Sequence, residues 1–252
     1  MNIVMRNASV ANEQLARAEQ VSLKTAPMPA NGAARPVLGL RPHSAPETRR
    51  HSPNYPTLTA LFEAASFQRH CQPDSTILLH GESADALYQI VSGTVRCCMI
   101  SAEGNRQIPC FSTRKGFIGI TEQDHWHFTA EAVDHVVINV LPRSVLEREL
   151  KHSAPLQEEI RAYVDALIEN RDTQLLTLVS TKASERVFRF LRDFAAKRPS
   201  GDFIALPMCR RDIADHLGLS VETVSRAFSN LKRSGRIDLA TCEKYRITSL
   251  TG

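Results

Sequence analysis

Long apolar runs are missing from this chain of 252 residues. No stretch approaches the roughly 18 consecutive apolar residues of a membrane-spanning helix, so the sequence excludes an integral helical membrane protein. Its hydrophobic fraction of 42% and charged fraction of 23% are ordinary for a globular protein. At this length the chain can form one large domain or two smaller ones.

Closely spaced cysteine pairs are missing as well. The six cysteines, at positions 71, 97, 98, 110, 209 and 242, show no C-x-x-C spacing. Since no secretory leader is recognisable either, we expect a reduced protein in the cytoplasm. Cys97 and Cys98 are neighbours on a predicted strand, so we expect one to face the core and the other the surface.

Signatures of catalysis and of metal binding are also scarce. The chain has no phosphate-binding loop, no Ser/His/Asp order and no paired carboxylates in a plausible pocket. His125 and His127, with His80 or His135, could form a haem or zinc site, but no Cys or carboxylate at ligand spacing completes a set. We therefore expect a protein that is not an enzyme and that has no metal site.

Positive charge is concentrated at the C-terminal end of the chain. Residues 181–252 carry 14 Lys and Arg against 8 Asp and Glu, whereas residues 61–180 carry 10 against 16. Cations that neutralise phosphates supply most non-specific DNA affinity. The charge pattern predicts a polyanion-binding module in this region, with a solvated basic face as the alternative.

Residues 1–150 divide into two segments that differ in composition and pattern. Seven prolines fall between Pro27 and Pro56, and residues 1–55 lack a sustained apolar period, which predicts a disordered arm. Residues 56–150 contain short β-rich runs separated by turn signals such as Ser92-Gly93, which predicts an antiparallel barrel or sandwich. The predicted strands are Ile77–Leu79, Leu87–Val91, Thr94–Ile100, Gln107–Phe111, Thr129–Val133 and Val136–Leu141.

A long helix is predicted over residues 151–180. Its apolar residues recur at intervals of three and four, and little of the chain remains for this stripe to pack against. We therefore expect a dimerisation helix that pairs with a second copy, with an intramolecular core helix as the alternative. The predicted seam residues are Leu156, Ile160, Tyr163, Val164, Leu167, Leu175 and Leu178.

Residues 181–252 have the order of a winged helix-turn-helix. Two closely spaced helices are predicted, from about Arg210 to Leu217 and from Val221 to Arg233, followed by a wing strand at Lys244–Thr248. Gly218 is predicted to end the first helix in a conformation that disfavours a Cβ, and Ser220 to cap the second.

Three polar residues share the exposed face at the start of the second helix, which is the end that reaches base edges. Arg226 can donate to O6 and N7 of guanine, Glu222 can accept from cytosine N4, and Ser225 can touch a base or a thymine methyl. Other cations and hydroxyls are expected to contact phosphates. They are Arg210, Arg211, Ser220, Thr223, Lys232, Arg233, Arg236 and Lys244.

Several segments together resemble one known family. Leu87–Val95 looks like its barrel signature, and Glu222–Arg226, one residue after Leu-Gly-Leu-Ser, looks like its recognition helix. His127–Ala132 and Met208–Ala214 look most like one branch. Over roughly residues 58–250 the chain resembles the cyclic-AMP receptor protein and fumarate-nitrate reduction regulator (Crp/Fnr) family, and within it the FixK-type branch.

The resemblance implies an α+β fold that contains a β-roll sensor domain, a dimerising helix and a winged helix-turn-helix. It also implies a homodimeric activator of microoxic, anaerobic or nitrogen-fixation-type genes that binds half-sites close to TTGAT or TTGAC. The loop Ser101–Asn105 resembles a family surface that contacts RNA polymerase, although a plain hairpin turn fits it equally well.

The chain departs from the family's ligand-binding members. Members that bind cyclic AMP use a Phe-Gly-Glu-Leu run and an Arg-Ser or Arg-Thr pair, whereas here Ile120 stands in place of the Glu and His125–Phe128 offers neither Arg nor Ser. Members with an iron-sulfur cluster use three N-terminal cysteines, whereas no cysteine precedes Cys71 here, and Asn139 stands where the fourth ligand would lie. We therefore expect no cofactor; a regulator gated by haem or a small molecule on the same scaffold is the alternative.

Cys209 is a candidate redox-sensitive residue. It precedes Arg210 and Arg211 at the predicted start of the first helix of the pair. A helix N-terminus and adjacent guanidiniums both favour the thiolate, which is the form that peroxide oxidises. The alternative is a small buried filler.

Overall fold

The computed structural model describes residues 55–180, 182–196 and 203–248. The arm predicted over residues 1–55 lies outside the described residues except for Tyr55. Within these ranges the helices are α1 (Leu58–Ala65), α2 (Arg143–Leu150), α3 (Ala154–Ser180), α4 (Ala183–Ala196), α5 (Arg210–Leu217) and α6 (Val221–Arg233). The strands are β1 (Phe67–Cys71), β2 (Thr76–Leu78), β3 (Ala86–Ser92), β4 (Thr94–Ile100), β5 (Arg106–Thr113), β6 (Phe117–Ile118), β7 (Thr129–Ala132), β8 (Val136–Pro142), β9 (Ile204–Ala205), β10 (Ile237–Thr241) and β11 (Lys244–Ile247).

Strands β1 to β8 form the predicted β-roll. They pair antiparallel in two four-stranded sheets, in the orders β1-β8-β3-β6 and β2-β7-β4-β5. Alternation explains the burial: Val136, Ile138 and Val140 of β8 are buried, whereas Val137 and Asn139 between them are partly exposed. All six predicted strand runs fall on strands, so the β-roll prediction is confirmed. Strands β1 and β6 are not among the predicted strands, because β1 is largely polar and β6 has only two residues.

A second apolar cluster joins the β-roll to α1, α2 and the start of α3. Leu156 of α3 is fully buried there, and Ile160 packs against the same cluster. The ring of Tyr163 meets that of Phe117 edge-on at 5.4 Å, and the Phe117 backbone N–H donates to the Tyr163 hydroxyl across 3.3 Å. These three predicted seam residues therefore pack inside their own chain. Leu156 and Ile160 pack in the cluster that contains α1, a helix that the sequence analysis does not predict, and Tyr163 packs against Phe117 of β6.

The remaining seam candidates lie further along α3. Leu167 and Leu175 are exposed, whereas Val164 and Leu178 are half-buried. Three large apolar residues that were not predicted, Ile168, Leu176 and Val179, are also exposed on this part of the helix. The C-terminal half of α3 therefore presents an apolar surface that other described parts of the chain leave accessible to solvent.

The C-terminal domain (residues 182–248) has a core of its own, which confirms the predicted winged helix-turn-helix. Helices α4, α5 and α6 pack with a three-stranded sheet in the order β10-β11-β9. The wing is a hairpin of β10 and β11 rather than one strand. The buried core is Val187, Phe188, Leu191, Phe194, Leu206, Met208, Ile213, Ala214, Leu217, Val224, Ala227, Phe228, Leu231, Ile237 and Tyr245.

Both adjacent cysteines of β4 are buried, so the expected division into core and surface is wrong. Cys97 belongs to the interior of the β-roll, and Cys98 on the opposite face is only 6% exposed. The Sγ atom of Cys98 lies 3.8 Å from Oε2 of Glu131, and burial raises the pKa of Cys98 to about 11.

Within the described ranges, no helix is both long enough and apolar enough to span a membrane.

The burial of Leu156 predicts a large loss of stability on truncation. Leu156→Ala should lower the free energy of unfolding by about 2–5 kcal/mol, because it removes buried methyl groups and leaves a cavity. Ile100→Ala, at a side chain that is 66% exposed, is the control and should stay within about 0.5 kcal/mol of the wild type. Urea denaturation followed by circular dichroism measures both. Equal losses for the two variants would contradict the assignment of Leu156 to the core.

Candidate nucleic-acid interface

The turn between α5 and α6 follows the predicted local chemistry. Helix α5 ends at Gly218, whose left-handed conformation (φ 61°, ψ 45°) favours glycine. Helix α6 begins after Ser220, whose Oγ accepts a hydrogen bond from the backbone N–H of Thr223 across 3.2 Å. The predicted bounds of both helices, the Gly218 end and the Ser220 cap are confirmed.

Apolar contacts hold the two helices together. Ile213 and Leu217 of α5 and Val224 and Leu231 of α6 are buried in one core, and Leu219 in the turn packs against it. Since these residues fix one face of α6 inside the domain, the opposite face is directed to solvent.

The three predicted base-reading residues lie on that solvent-facing side. Glu222, Ser225 and Arg226 are all exposed. A hydrogen bond from its own backbone N–H, a second from Ser220 and the nearby Arg226 charge hold the pKa of Glu222 below its usual value. Glu222 is therefore ionised at neutral pH and acts as an acceptor. The Ser225 hydroxyl donates to the carbonyl of Val221 across 2.9 Å, which leaves its oxygen lone pairs for another donor.

Most of the predicted phosphate-contacting residues surround this face. Ser220 caps α6, Thr223 is half-buried in its first turn, and the Arg233 guanidinium donates to Asn230 Oδ1 across 2.8 Å. The exposed residues of the set are Arg211, Ser220, Lys232, Arg233 and Lys244.

Two of the predicted phosphate residues are instead used inside the domain. The guanidinium of Arg210 lies 3.3 Å from the ring centroid of Phe228 and donates to the Cys242 carbonyl across 3.1 Å. Arg236 lies 3.6 Å from the ring centroid of Phe188 and pairs with Glu185 at 2.8 Å. Burial lowers the pKa of Arg210, in keeping with a structural position. Both side chains stabilise the domain through cation–π contacts.

The wing stands beside α6 and is fixed to the domain core. The Tyr245 hydroxyl donates to the carbonyl of Leu191 across 2.6 Å, which ties β11 to α4. An open groove of about 390 Å³ separates the wing from α6. Polar and charged residues on its walls are Arg210, Ser225, Ser229, Lys232 and Thr241.

Cys209 occupies the position immediately before α5. It is exposed, and its side chain makes no capping hydrogen bond to the helix. The expected alternative, a buried filler, is therefore wrong. The neighbouring Arg210 is turned towards the wing, whereas Arg211 is exposed.

The interior of the β-roll is packed with apolar side chains, among them the indole of Trp126. Trp126 is 3% exposed, and its ring centroid lies 6.3 Å from that of Tyr88 and 6.2 Å from that of Phe128. A Cβ on Gly119 would lie 2.8 Å from Cη2 of Trp126, so the indole packs directly against the backbone of the Phe117–Ile120 segment. The segment that holds cyclic phosphate in the nucleotide-binding members is thus closed by an indole, and the residues present do not fit a cyclic nucleotide.

The histidines considered for a metal site do not form one. His80, His125, His127 and His135 are all exposed. Among the residues that the structure describes, no three His, Cys, Asp or Glu side chains come together as metal ligands.

A winged helix-turn-helix with a polar recognition face, linked through a long helix to a β-roll, defines a DNA-binding transcription regulator. Two family models match the chain accordingly. The Crp-like helix-turn-helix domain matches residues 185–252, and the cyclic nucleotide-binding domain matches residues 68–153.

Relatives agree with this class. The nitrogen fixation regulation protein FixK of Azorhizobium caulinodans is 32% identical over 223 residues, which cover 86% of this chain and 86% of that protein. The transcriptional activatory protein AadR of Rhodopseudomonas palustris is 30% identical over 165 residues, which cover 64% of this chain and 69% of AadR. The solved structure of FixK2 from Bradyrhizobium japonicum superposes with a TM-score of 0.71 at 29% identity and covers 73% of this chain and 93% of FixK2.

The chain therefore belongs to the Crp/Fnr family of transcription regulators and is FixK-like. These relatives are regulators and not enzymes, in agreement with the expectation from the sequence.

Proposed function

We propose that the protein is a homodimeric activator that binds a palindrome of TTGAT- or TTGAC-type half-sites about one helical turn apart. The observation that carries the proposal is the exposed row of Glu222, Ser225 and Arg226 at the start of α6. In the major groove, Arg226 donates to guanine, Glu222 accepts from cytosine, and Ser225 contacts a neighbouring base. The relatives named as nitrogen fixation regulators and activators support the FixK-type role.

Phosphate contacts fix the register of α6 on the duplex. We assign them to the residues that are accessible around the recognition face and assign Arg210 to support of the wing instead. The phosphate-contacting set is Arg211, Ser220, Thr223, Lys232, Arg233 and Lys244.

The apolar surface on the C-terminal half of α3 supports the homodimer. Ile168, Leu175 and Val179 are 53%, 59% and 88% exposed, and such a row is unfavourable in water unless a second copy covers it. The two half-sites of a palindrome are inverted repeats, so they also require two recognition helices related by a two-fold axis. We therefore place the seam on Val164, Leu167, Ile168, Leu175, Leu178 and Val179.

The hairpin loop Ser101–Asn105 is our candidate contact for RNA polymerase. It is a tight turn in which the backbone N–H of Ser101 donates to the Asn105 carbonyl across 2.9 Å. Met99 and Ile100, at the adjoining end of β4, are exposed. The protein acts in the cytoplasm under this proposal, since both DNA and polymerase must be within reach.

The base-reading role of Arg226 is the direct test of the proposed function. Arg226→Ala should cost about 1–3 kcal/mol of binding free energy and abolish the preference for one G·C pair, because a bidentate contact is lost. Fluorescence anisotropy at one fixed salt concentration, with each of the four base pairs at that position, measures both effects.

Lys232→Ala is the matched control for Arg226→Ala. It should weaken all four duplexes equally and reduce the slope of log affinity against log salt by about 1. If Arg226→Ala behaves in the same uniform way, Arg226 is a phosphate contact and the proposed readout is wrong.

DNA binding without a cyclic nucleotide is expected from the filled interior of the β-roll. Purified, metal-free protein should bind its operator in a gel-shift titration, and added cyclic AMP should leave the affinity unchanged. Tightening of about tenfold or more on addition of cyclic AMP, equivalent to about 1.4 kcal/mol, would contradict this and favour a ligand-gated regulator.

Oxidation of Cys209 should weaken DNA binding, as a second proposal. Peroxide converts the thiolate to a sulfenate with release of water, and a second equivalent gives a sulfinate. A thiol is neutral whenever it is protonated, whereas a sulfinate stays anionic at neutral pH. Oxidation therefore fixes a negative charge beside the phosphate-contacting residues, and this charge repels the DNA backbone. The measurement is operator affinity before and after peroxide treatment, and Cys209→Ser should keep its affinity.

Cys242→Ser is the control, since Cys242 is also exposed but lies in the wing, and this variant should stay sensitive to peroxide. Cys209→Asp should bind weakly without oxidation while its melting temperature stays near that of the wild type. The proposal fails if Cys209→Ser loses affinity as readily as the wild type.

A further inference from the structure

Ion pairs cross from the β-roll to the C-terminal domain. Arg106 of β5 places Nε 2.8 Å from Oδ2 of Asp215, and its Nη2 donates to the carboxylate of Asp212. Arg96 of β4 places Nη1 3.2 Å from the other oxygen of Asp212. We call these four residues the interdomain clamp. The sequence separation of the pairs, at 106 to 116 residues, shows that they join distant parts of the chain.

Because the Asp212 carboxylate is buried, the clamp tolerates little change in the distances between its charged groups. The Asp212 side chain is 3% exposed, and a carboxylate removed from water is tolerated only where opposite charges and hydrogen bonds compensate it. Two guanidiniums of the β-roll provide that compensation, and Arg96 is itself held by Glu131 at 2.8 Å and Asp74 at 3.0 Å. Moving α5 away from the β-roll would separate a buried charge from its partners.

Uncharged contacts run beside the clamp. Nδ1 of His216 lies 2.7 Å from the backbone carbonyl oxygen of Ile108 on β5. The ring of Phe111, also on β5, lies 5.2 Å from that of His216 and 5.9 Å from that of Phe190 on α4. The interface therefore combines charge pairs with aromatic packing, which fixes both distance and rotation.

The clamp leaves the DNA-reading face open. Asp215 and His216 lie three and four residues after Asp212, so all three share one face of α5. Glu222 and Arg226 on α6 take no part in these contacts and are exposed. The orientation that the clamp holds is thus compatible with major-groove binding.

We propose that Arg96 and Arg106, through Asp212 and Asp215, are positioning residues that fix α6 relative to the β-roll and thereby set the half-site spacing that the dimer accepts. This inference rests on the proposed homodimer, in which α3 defines the two-fold axis. Residues 181 and 182 alone separate α3 from α4 along the chain, so the clamp restricts rotation of the C-terminal domain about that connection.

The preferred spacing between half-sites shows whether the C-terminal domain is held in one orientation. Adding one base pair between half-sites moves them apart by about 3.4 Å along the axis and also rotates one around the other. A dimer with fixed recognition helices pays for this mismatch, whereas a dimer with loosely held helices follows either spacing.

The test measures the DNA affinity of the full-length wild type and of Arg106→Ala. Three duplexes carry identical half-sites at the preferred spacing, one base pair closer and one base pair further apart. A fourth duplex carries a single half-site. The wild type should prefer one spacing by about tenfold or more, within the usual range for a site mismatch. Arg106→Ala should reduce that preference to about threefold or less. Its affinity for the single half-site and its base preference opposite Arg226 should match those of the wild type.

Arg192→Ala is the matched control. Arg192 lies in the C-terminal domain and pairs at 3.2 Å with its neighbour Asp193, and no described residue of the β-roll forms an ion pair with it. It should keep the wild-type spacing preference, and Arg106→Lys, which retains the charge but not the two-pronged contact, should fall between wild type and Arg106→Ala. An unchanged spacing preference in Arg106→Ala overturns the proposal, as does an equal loss on the single half-site.

Cys98 gives a second measurement that does not depend on the dimer or on DNA. It is buried on the face of β4 that also carries Arg96. Alkylation of native protein by iodoacetamide, followed by mass spectrometry of the Cys98 peptide, should be about fivefold or more faster in Arg106→Ala than in wild type, because the interface opens more often. If the wild type shows no preference for a palindrome, the proposed function is wrong, but the alkylation rate of Cys98 still tests the clamp. An equal alkylation rate in Arg106→Ala and wild type overturns the proposed clamp.

Discussion

Burial of one face of α6 determines what its opposite face can do. Val224, Ala227, Phe228 and Leu231 are inserted into the core of the C-terminal domain, and this fixes the rotation of the helix about its own axis. Only in that rotation do Glu222 and Arg226 face solvent together. The Ser220 cap and the left-handed Gly218 then define where the helix begins, so the base-reading residues fall in its first two turns.

Side chains pack the interior of the β-roll in this protein. Trp126 fills the interior against Gly119, and the outer face of β4 and β5 carries the guanidiniums that hold α5. A fold that matches a cyclic nucleotide-binding domain is thus packed like an ordinary core and connected to the C-terminal domain by charge pairs. In this arrangement, contacts within the chain set the orientation of the C-terminal domain relative to the β-roll.

Local signals were sufficient to predict the elements that carry the site. Alternating apolar residues indicate the strands of the β-roll, and Gly218 with Ser220 indicates the turn, since each of these patterns acts over a few residues.

The sequence predicts Leu156 to lie in a dimer seam because its partner α1 has no strong signal in the sequence. Arg210 and Arg236 were assigned to phosphates because a sequence shows their charge but not the Phe228 and Phe188 rings beneath them. The contact between Arg106 and Asp212 spans 106 residues and has no local signature at all.

Selection of bound duplexes from a random DNA library is the measurement that tests the central claim most directly, since it requires no assumption about the target. A dimer that reads bases with the start of α6 should enrich an inverted repeat whose half-sites contain the guanine read by Arg226 and lie about one helical turn apart. Enrichment of A·T-rich duplexes without a repeat, or no enrichment over the starting library, would contradict the account.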